Sequence, residues 1–252
     1  MKISFYIFLL LVITSCGISE DCFKGNGNSV TQLFPLEGFT KVKVYDGVGL
    51  VIKEGPNYEV KIVTNDKIID NIDVAMQGDM LFVKDNSTCN IARGYGQTVV
   101  YVTVPDGSIL PLIQELELHC KTEQKTESGS ILHSPIVRLF SIADDGDGAG
   151  TGDFYIQVAN GQLVVESNNV SNFYVSGQCE EMLLNFYFGN GRFYGEDLHA
   201  ENIKIFQRGS NDMIVYPIQK IEGTIFSTGN VILKNVPSIV DVEEVFTGRV
   251  IY

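Results

Sequence analysis

The chain has 252 residues, 44% of them apolar, and carries 31 acidic against 18 basic side chains, a formal net charge of −13. So acidic a body repels nucleic acid and anionic lipid headgroups, and neither is expected as a partner. There is no basic patch or arginine-rich tract to offset this.

The chain opens "MKISFYIFLLLVITSC", with Lys2 ahead of an apolar run from Ile3 to Ile13. That run is shorter than the ~20 residues a membrane-spanning helix needs. A charged start and a short apolar core describe a secretory signal. Its end, Ile13-Thr14-Ser15-Cys16, resembles the lipobox at which bacterial lipoprotein precursors are acylated on cysteine and cut before it. The expected organisation is a signal peptide over 1–15, a lipidated N-terminus and flexible tether over 16–35, and a folded domain over 36–252. Removing 1–15 takes one lysine and no acid, leaving −14. The membrane would then be reached through the acyl chains on Cys16, which together make a stable anchor. Glu20 and Asp21 resemble the acidic tags that send some lipoproteins outward. The expected location is the bacterial cell envelope, at the outer membrane.

The front of the domain alternates apolar and polar residues. "VKVYDGVGLVIKEGPNYEVKIVT" predicts strands broken at Asp46-Gly47 and at Glu54-Gly55-Pro56-Asn57. "NDKIIDNI" is a short helical turn, and "DVAMQGDMLFVKD" a hairpin around Gln77-Gly78-Asp79. "QTVVYVTVPDG" is a strand with Val100, Val102 and Val104 on one face. With Cys16 acylated, Cys22, Cys89, Cys120 and Cys179 remain, either as disulfides in one of three pairings or as buried thiols. His119 and Cys120 are adjacent in a strand and face opposite ways, which argues against joint metal ligation.

From Asp153 the chain repeats. "DFYIQV", "NFYVSG", "RFYGED", "DMIVYP", "NVILKN" and "RVIY" align with Phe154, Phe173, Phe193, Met213, Val231 and Val250 in one register, at steps of 19, 20, 20, 18 and 19 residues. A fixed period near twenty with turn residues at each join predicts a solenoid, since one coil cannot bury its own apolar face and the next coil must cover it. Those six residues then form an inward ladder. The glycines before them, Gly152, Gly191, Gly229 and Gly248, are expected to supply positive φ at the corners. "DDGDGAGTGDF" is the first corner. As a calcium loop it offers only Asp144, Asp145 and Asp147, because Ala149 and Gln157 stand where ligands are needed.

The order of "VKVYDGVGLVIKEGPNYEVKIVTND", "LFVKDN", "VYVTVPD", the glycine-rich repeats and "STGNVILKNVPSIVDVEEVFTGRVIY" resembles the GIN domain, the head domain assigned to auto-transporter adhesins in bacterial secreted proteins and lipoproteins. The likeness runs from about Leu36 to Tyr252. That family's Gly-Ser-Gly turns stand here as GTG, GNG, STG and FTG. The resemblance implies an all-β, right-handed, single-stranded parallel β-helix with a more irregular front, and it supplies no catalytic residues.

No G-x-S-x-G, H-E-x-x-H or Walker loop is present. The expected role is a non-catalytic, surface-anchored binding or adhesive module without a cofactor, its partner a glycan or an extracellular protein. The alternatives are a structural envelope-maintenance lipoprotein and a polysaccharide-active β-helix enzyme, for which Asp144, Asp145, Asp147, Glu180 and Glu181 are the available acids. Tyr155, Tyr174 and Tyr194 each follow an inward Phe, so they form the candidate ligand face, with Gln157 and Glu196 two residues further on.

Labelling cells with a fatty-acid analogue should mark the wild-type protein and spare Cys16→Ala. Equal labelling of both would exclude a lipid on Cys16.

Overall fold

The computed structural model describes residues 27–45, 47–87, 98–108, 113–120, 123–143 and 151–252. The predicted signal, Cys16, Cys22, Cys89 and the Asp144, Asp145 and Asp147 group lie outside them. The protein is all-β, its strands joined in one curled sheet. Among the described residues, helix is confined to a 3₁₀ turn at Ile69–Asn71, and no helix is long and apolar enough to cross a membrane.

The front comprises β1 (Ser29–Phe34), β2 (Lys41–Val44), β3 (Val48–Gly55), β4 (Glu59–Asn65), β5 (Ile72–Gln77), β6 (Met80–Asp85), β7 (Thr98–Pro105), β8 (Glu115–Cys120), β9 (Gln124–Thr126) and β10 (Ile136–Ser141). The breaks expected at Gly47 and at residues 54–57 separate β2, β3 and β4, and Asp46 lies outside the described residues. The hairpin expected at Gly78 joins β5 to β6 in antiparallel register. In β7, Val100, Val102 and Val104 are buried as the alternation requires. Residues 29–34, placed by sequence in the flexible tether, instead form β1. It lies antiparallel on β4, whose outer backbone groups it satisfies, and its side chains are mostly exposed. Polar composition marked it as linker, but an edge strand needs little apolar surface.

The back is built from long strands: β11 (Phe154–Ser167), β12 (Asn172–Phe186), β13 (Arg192–Gln207) and β14 (Met213–Ile225), then β15 (Val231–Leu233), β16 (Ile239–Glu244) and β17 (Val250–Ile251). All pair in parallel. The first half of β11 lies on β9 and its second half on β10. The first half of β14 carries β15 and its second half β16. Each long strand is therefore one rung that bends midway.

The register sets Phe154 opposite Phe173, Phe173 opposite Phe193, Phe193 opposite Met213, Met213 opposite Val231 and Val231 opposite Val250. The first five are fully buried, and the Phe154 and Phe173 rings stack at 4.6 Å. Val250, on the last rung, is half-buried. That rung leaves Ile239, Val245, Phe246 and Tyr252 exposed.

The corners are packed differently from the expectation. Gly191, Gly229 and Gly248 do not have positive φ. A Cβ would instead meet the Ser171 carbonyl oxygen at 2.7 Å from Gly191, that of Asn211 at 2.1 Å from Gly229 and that of Gly229 at 2.3 Å from Gly248. These glycines let one corner sit directly on the backbone of the previous corner, a tertiary demand that sequence phase does not reveal. Side-chain bonds reinforce the stack. Asp153 Oδ1 accepts from the Asn172 N–H at 2.8 Å, Asp212 Oδ1 from Asn230 at 3.0 Å, and Asn230 Oδ1 from Arg249 at 3.0 Å. Asp153, the last acid of the stretch weighed as a calcium loop, thus serves as a corner bond.

Phe173→Ala should destabilise the protein by ~3–5 kcal/mol, through lost burial and the cavity left behind. Phe173→Asp should cost more, since it places a carboxylate among apolar rings. Denaturant unfolding of either variant at the wild-type midpoint would contradict the ladder.

Candidate functional site

The three tyrosines come together as the register dictates. Tyr155 pairs with Tyr174 and Tyr174 with Tyr194. Their ring centroids lie 4.8 and 4.5 Å apart, with planes within 2° and 3° of parallel. Rings that close and parallel must overlap face on face, so the row offers the solvent edges and hydroxyls rather than broad aromatic faces. Two of the hydroxyls are themselves engaged: Tyr194 accepts from Arg192 Nη1 at 3.2 Å and hydrogen-bonds Tyr174. Burial, and then nearby Asp153 for Tyr155 and Tyr194 for Tyr174, holds these two hydroxyls above the usual phenol value.

Beside the row is a depression of about 270 Å³, walled by the tyrosines with Ser176, Glu196 and Asp197. Glu196 and Asp197 reach it because β13 bulges. Tyr194 faces Ile214 and His199 faces Tyr216, so four residues of β13 oppose one of β14. Such bulges re-aim side chains. Gln157 instead lies opposite Ser176 in the regular register, outside the depression's wall.

A larger groove, of about 730 Å³, runs where the long strands bend. Its wall takes Asn160 from β11, Gln178 and Glu180 from β12, His199 and Glu201 from β13, and Ile218 from β14. Ser108, His133 and Pro135 close it from the front. Successive rungs thus place polar side chains side by side along one cavity, and the volume lies within the ~300–1,000 Å³ usual for ligand sites. His199 is steadied by the Tyr216 ring, at 4.4 Å between centroids.

Sequence reading missed this groove. The available signal was that the bends "ANGQ", "GQCE" and "LHAE" share one phase of the repeat, but the facing wall comes from loops a whole turn of chain earlier. Of the acids considered for catalysis, Glu180 lines the groove, whereas Glu181 is exposed and accepts from Asn202 at 2.8 Å.

At the front end of the groove stand Glu54, Asp106 and His133, each offering one ligand-capable atom within 4.8 Å of the others. Parallel pairing brings the first two together: Gly55 lies opposite Pro105, and the Asp106 N–H donates to the Gly55 carbonyl at 2.9 Å. Gly107 lets His133 approach, since a Cβ there would meet the Ser134 nitrogen at 2.6 Å.

This arrangement of a mixed front and parallel repeats is shared with known proteins. The family model described as "Putative auto-transporter adhesin, head GIN domain" matches residues 38–237. The chain belongs to the GIN domain family. Among solved structures, a putative adhesin from Bacteroides fragilis NCTC 9343 is 17% identical, covers 88% of this chain and 96% of its own, and superposes with a TM-score of 0.73. A putative adhesin from Parabacteroides distasonis ATCC 8503 is 8% identical, with 90% and 98% covered and a TM-score of 0.60. A putative lipid binding protein from the same organism is 13% identical, with the same coverage and a TM-score of 0.55. At these identities the likeness is one of fold. No curated protein matches the chain.

In this GIN domain Cys179 is a free thiol in the groove wall, 5% exposed. Cys120 ends β8, but its side chain falls outside the described residues. Burial, and then the Glu181 carboxylate, pushes the Cys179 thiol from an ordinary value near 9.0 up to about 12. The folded state therefore holds this proton more tightly than the unfolded chain. Its contribution to stability should be complete below pH 9 and fall between pH 9 and 12. Iodoacetamide at pH 8 should modify Cys179 rapidly in denaturant and hardly at all in the native protein. Rapid native modification would contradict the burial.

Proposed function

We propose that this protein is a non-catalytic binding module of adhesin type, held to the bacterial envelope at the outer membrane by lipid on Cys16, and that it takes a polyhydroxylated ligand such as a glycan in the groove at the strand bends. The observation that carries this reading is the groove itself. Asn160, Gln178, Glu180, His199 and Glu201 offer hydrogen-bond donors and acceptors at strand spacing, ~4.8 Å per rung, along one cavity. A sugar chain presents hydroxyls at comparable intervals, while the apolar patches from Pro135, Ala159 and Ile218 suit its ring faces.

The finer reading of the fold accompanies this one. Steps of 18 to 20 residues and parallel pairing of like positions favour a right-handed, single-stranded parallel β-helix, with the bends as its corners. Membership of a family described as adhesin heads supports a role at the cell surface. The same description favours a non-catalytic role.

The tyrosine row is a second reading, favoured by the depression bordering it, with Glu196 and Asp197 as its polar contacts. Screening on glycan and matrix-protein arrays separates the two. A Gln178→Ala, Glu180→Ala, Glu201→Ala variant changes groove side chains that are exposed or half-exposed, so the fold should persist. It should lose at least tenfold in binding, while replacing Tyr155, Tyr174 and Tyr194 with Ser should cost less. The reverse ranking would move the site to the tyrosines. Absence of any ligand for the wild type would favour the envelope-maintenance role.

A further inference from the structure

The Glu54, Asp106 and His133 group has features that its position beside the groove does not require. Glu54 is the second-last residue of β3, and its side chain is only 4% exposed. Its Oε1 accepts three bonds, from the His133 N–H at 2.8 Å, the Ser134 N–H at 2.9 Å and the Ser134 hydroxyl at 3.2 Å. Its Oε2 faces the His133 imidazole, with Nδ1 at 3.0 Å. Asp106 is pinned in the same manner: Oδ1 accepts from the Ser108 N–H at 2.8 Å and the Ser108 hydroxyl at 2.6 Å. The Ser108 hydroxyl first, and then its N–H, hold the Asp106 carboxyl below its usual value.

Both carboxylates are thus fixed by one oxygen, through donors that come mostly from the backbone. One oxygen of each carboxylate and one ring nitrogen of His133 gather within 4.8 Å of one another. Among the described residues no Lys or Arg forms an ion pair with either carboxylate. Two acids and an imidazole converging without a basic partner suit a cation. An imidazole nitrogen and two carboxylate oxygens are the ligands of zinc-like ions, whereas calcium and magnesium sites are built from oxygen alone.

We propose that Glu54, Asp106 and His133 bind a divalent transition-metal ion, with Zn²⁺ as the representative, at the front end of the groove. Donors ~2.0–2.1 Å from a tetrahedral ion stand about 3.3 Å apart. The 3.0 Å between Glu54 Oε2 and His133 Nδ1 is close to that, and the 4.8 Å limit on the whole group needs only small side-chain rotations. The hydrogen bonds on Glu54 Oε1 and Asp106 Oδ1 are the outer contacts that orient ligating carboxylates in metal sites. His133 also lines the groove, so the coordination position left open faces it. A water or a ligand hydroxyl would fill that position. The acidic body raises the local concentration of cations.

This site does not rest on the glycan reading, and its test uses no glycan. The full chain, produced with a tag free of histidine and stripped with a chelator, is titrated with ZnCl₂ by calorimetry and with CoCl₂ by visible absorption. The expected result is one equivalent of Zn²⁺ bound at micromolar concentration or tighter, with Co²⁺ giving the intense absorption of a four-coordinate nitrogen and oxygen site. His133→Ala and Asp106→Asn should each weaken binding at least tenfold. Circular dichroism and the unfolding midpoint of each metal-free variant establish that it is folded. Asp106→Asn keeps the side chain's shape and serves if His133→Ala does not fold. Absence of stoichiometric binding, or binding unchanged in folded variants, would overturn the proposal. The first result would leave a hydrogen-bonded cluster that only ties the front loops together; the second would mark weak binding to scattered surface acids.

Discussion

Parallel pairing of like positions is the constraint on which the rest of this protein depends. When each rung meets the next in parallel with a near-constant step, one choice of residue phase is copied along the whole stack. An inward phenylalanine at 154 then obliges apolar residues at 173, 193, 213 and 231, and all are fully buried. The same copying places outward tyrosines in a file and polar side chains along the bends. Core and candidate ligand surface are therefore not separate designs but two phases of one register.

The constraint also explains where irregularity is tolerated. Corners must stack as closely as strands do, and glycine at 191, 229 and 248 removes the Cβ that would strike the carbonyl of the rung before. Departures from equal spacing are spent on the outer side. The bulge in β13 turns Glu196 and Asp197 outward without disturbing Phe193 or Leu198, which stay buried. The front cannot use the repeat, and it closes the first rung with loops. Those loops deliver Ser108 and His133 to the groove and bring Glu54 and Asp106 together behind them.

Much of this was legible in the sequence, for a physical reason. A strand's side chains alternate with period two, so a repeat near twenty preserves phase, and the Phe, Tyr and apolar files can be read directly. The hairpin at Gly78 and the breaks around β3 were legible through their turn residues. What could not be read depends on contacts between distant segments. The corner glycines looked like positive-φ positions because local chemistry cannot distinguish a strained turn from a close approach. Residues 29–34 looked like linker because an exposed edge strand has the composition of one. The tyrosine file was foreseen, but not that stacking at 4.5–4.8 Å covers its ring faces. The groove was missed because it needs Ser108 and His133, from the front loops, opposite bends in β11 to β14 that follow much later in the chain.

The central claim is that the outer phase of the bends forms the ligand surface. Hydrogen–deuterium exchange of the protein with and without an array-selected glycan tests it most directly. Protection should concentrate at residues 159–161, 178–180 and 199–201, together with the 133–135 loop across the groove. Protection confined to the tyrosine strand halves, or to the exposed last rung, would contradict the account.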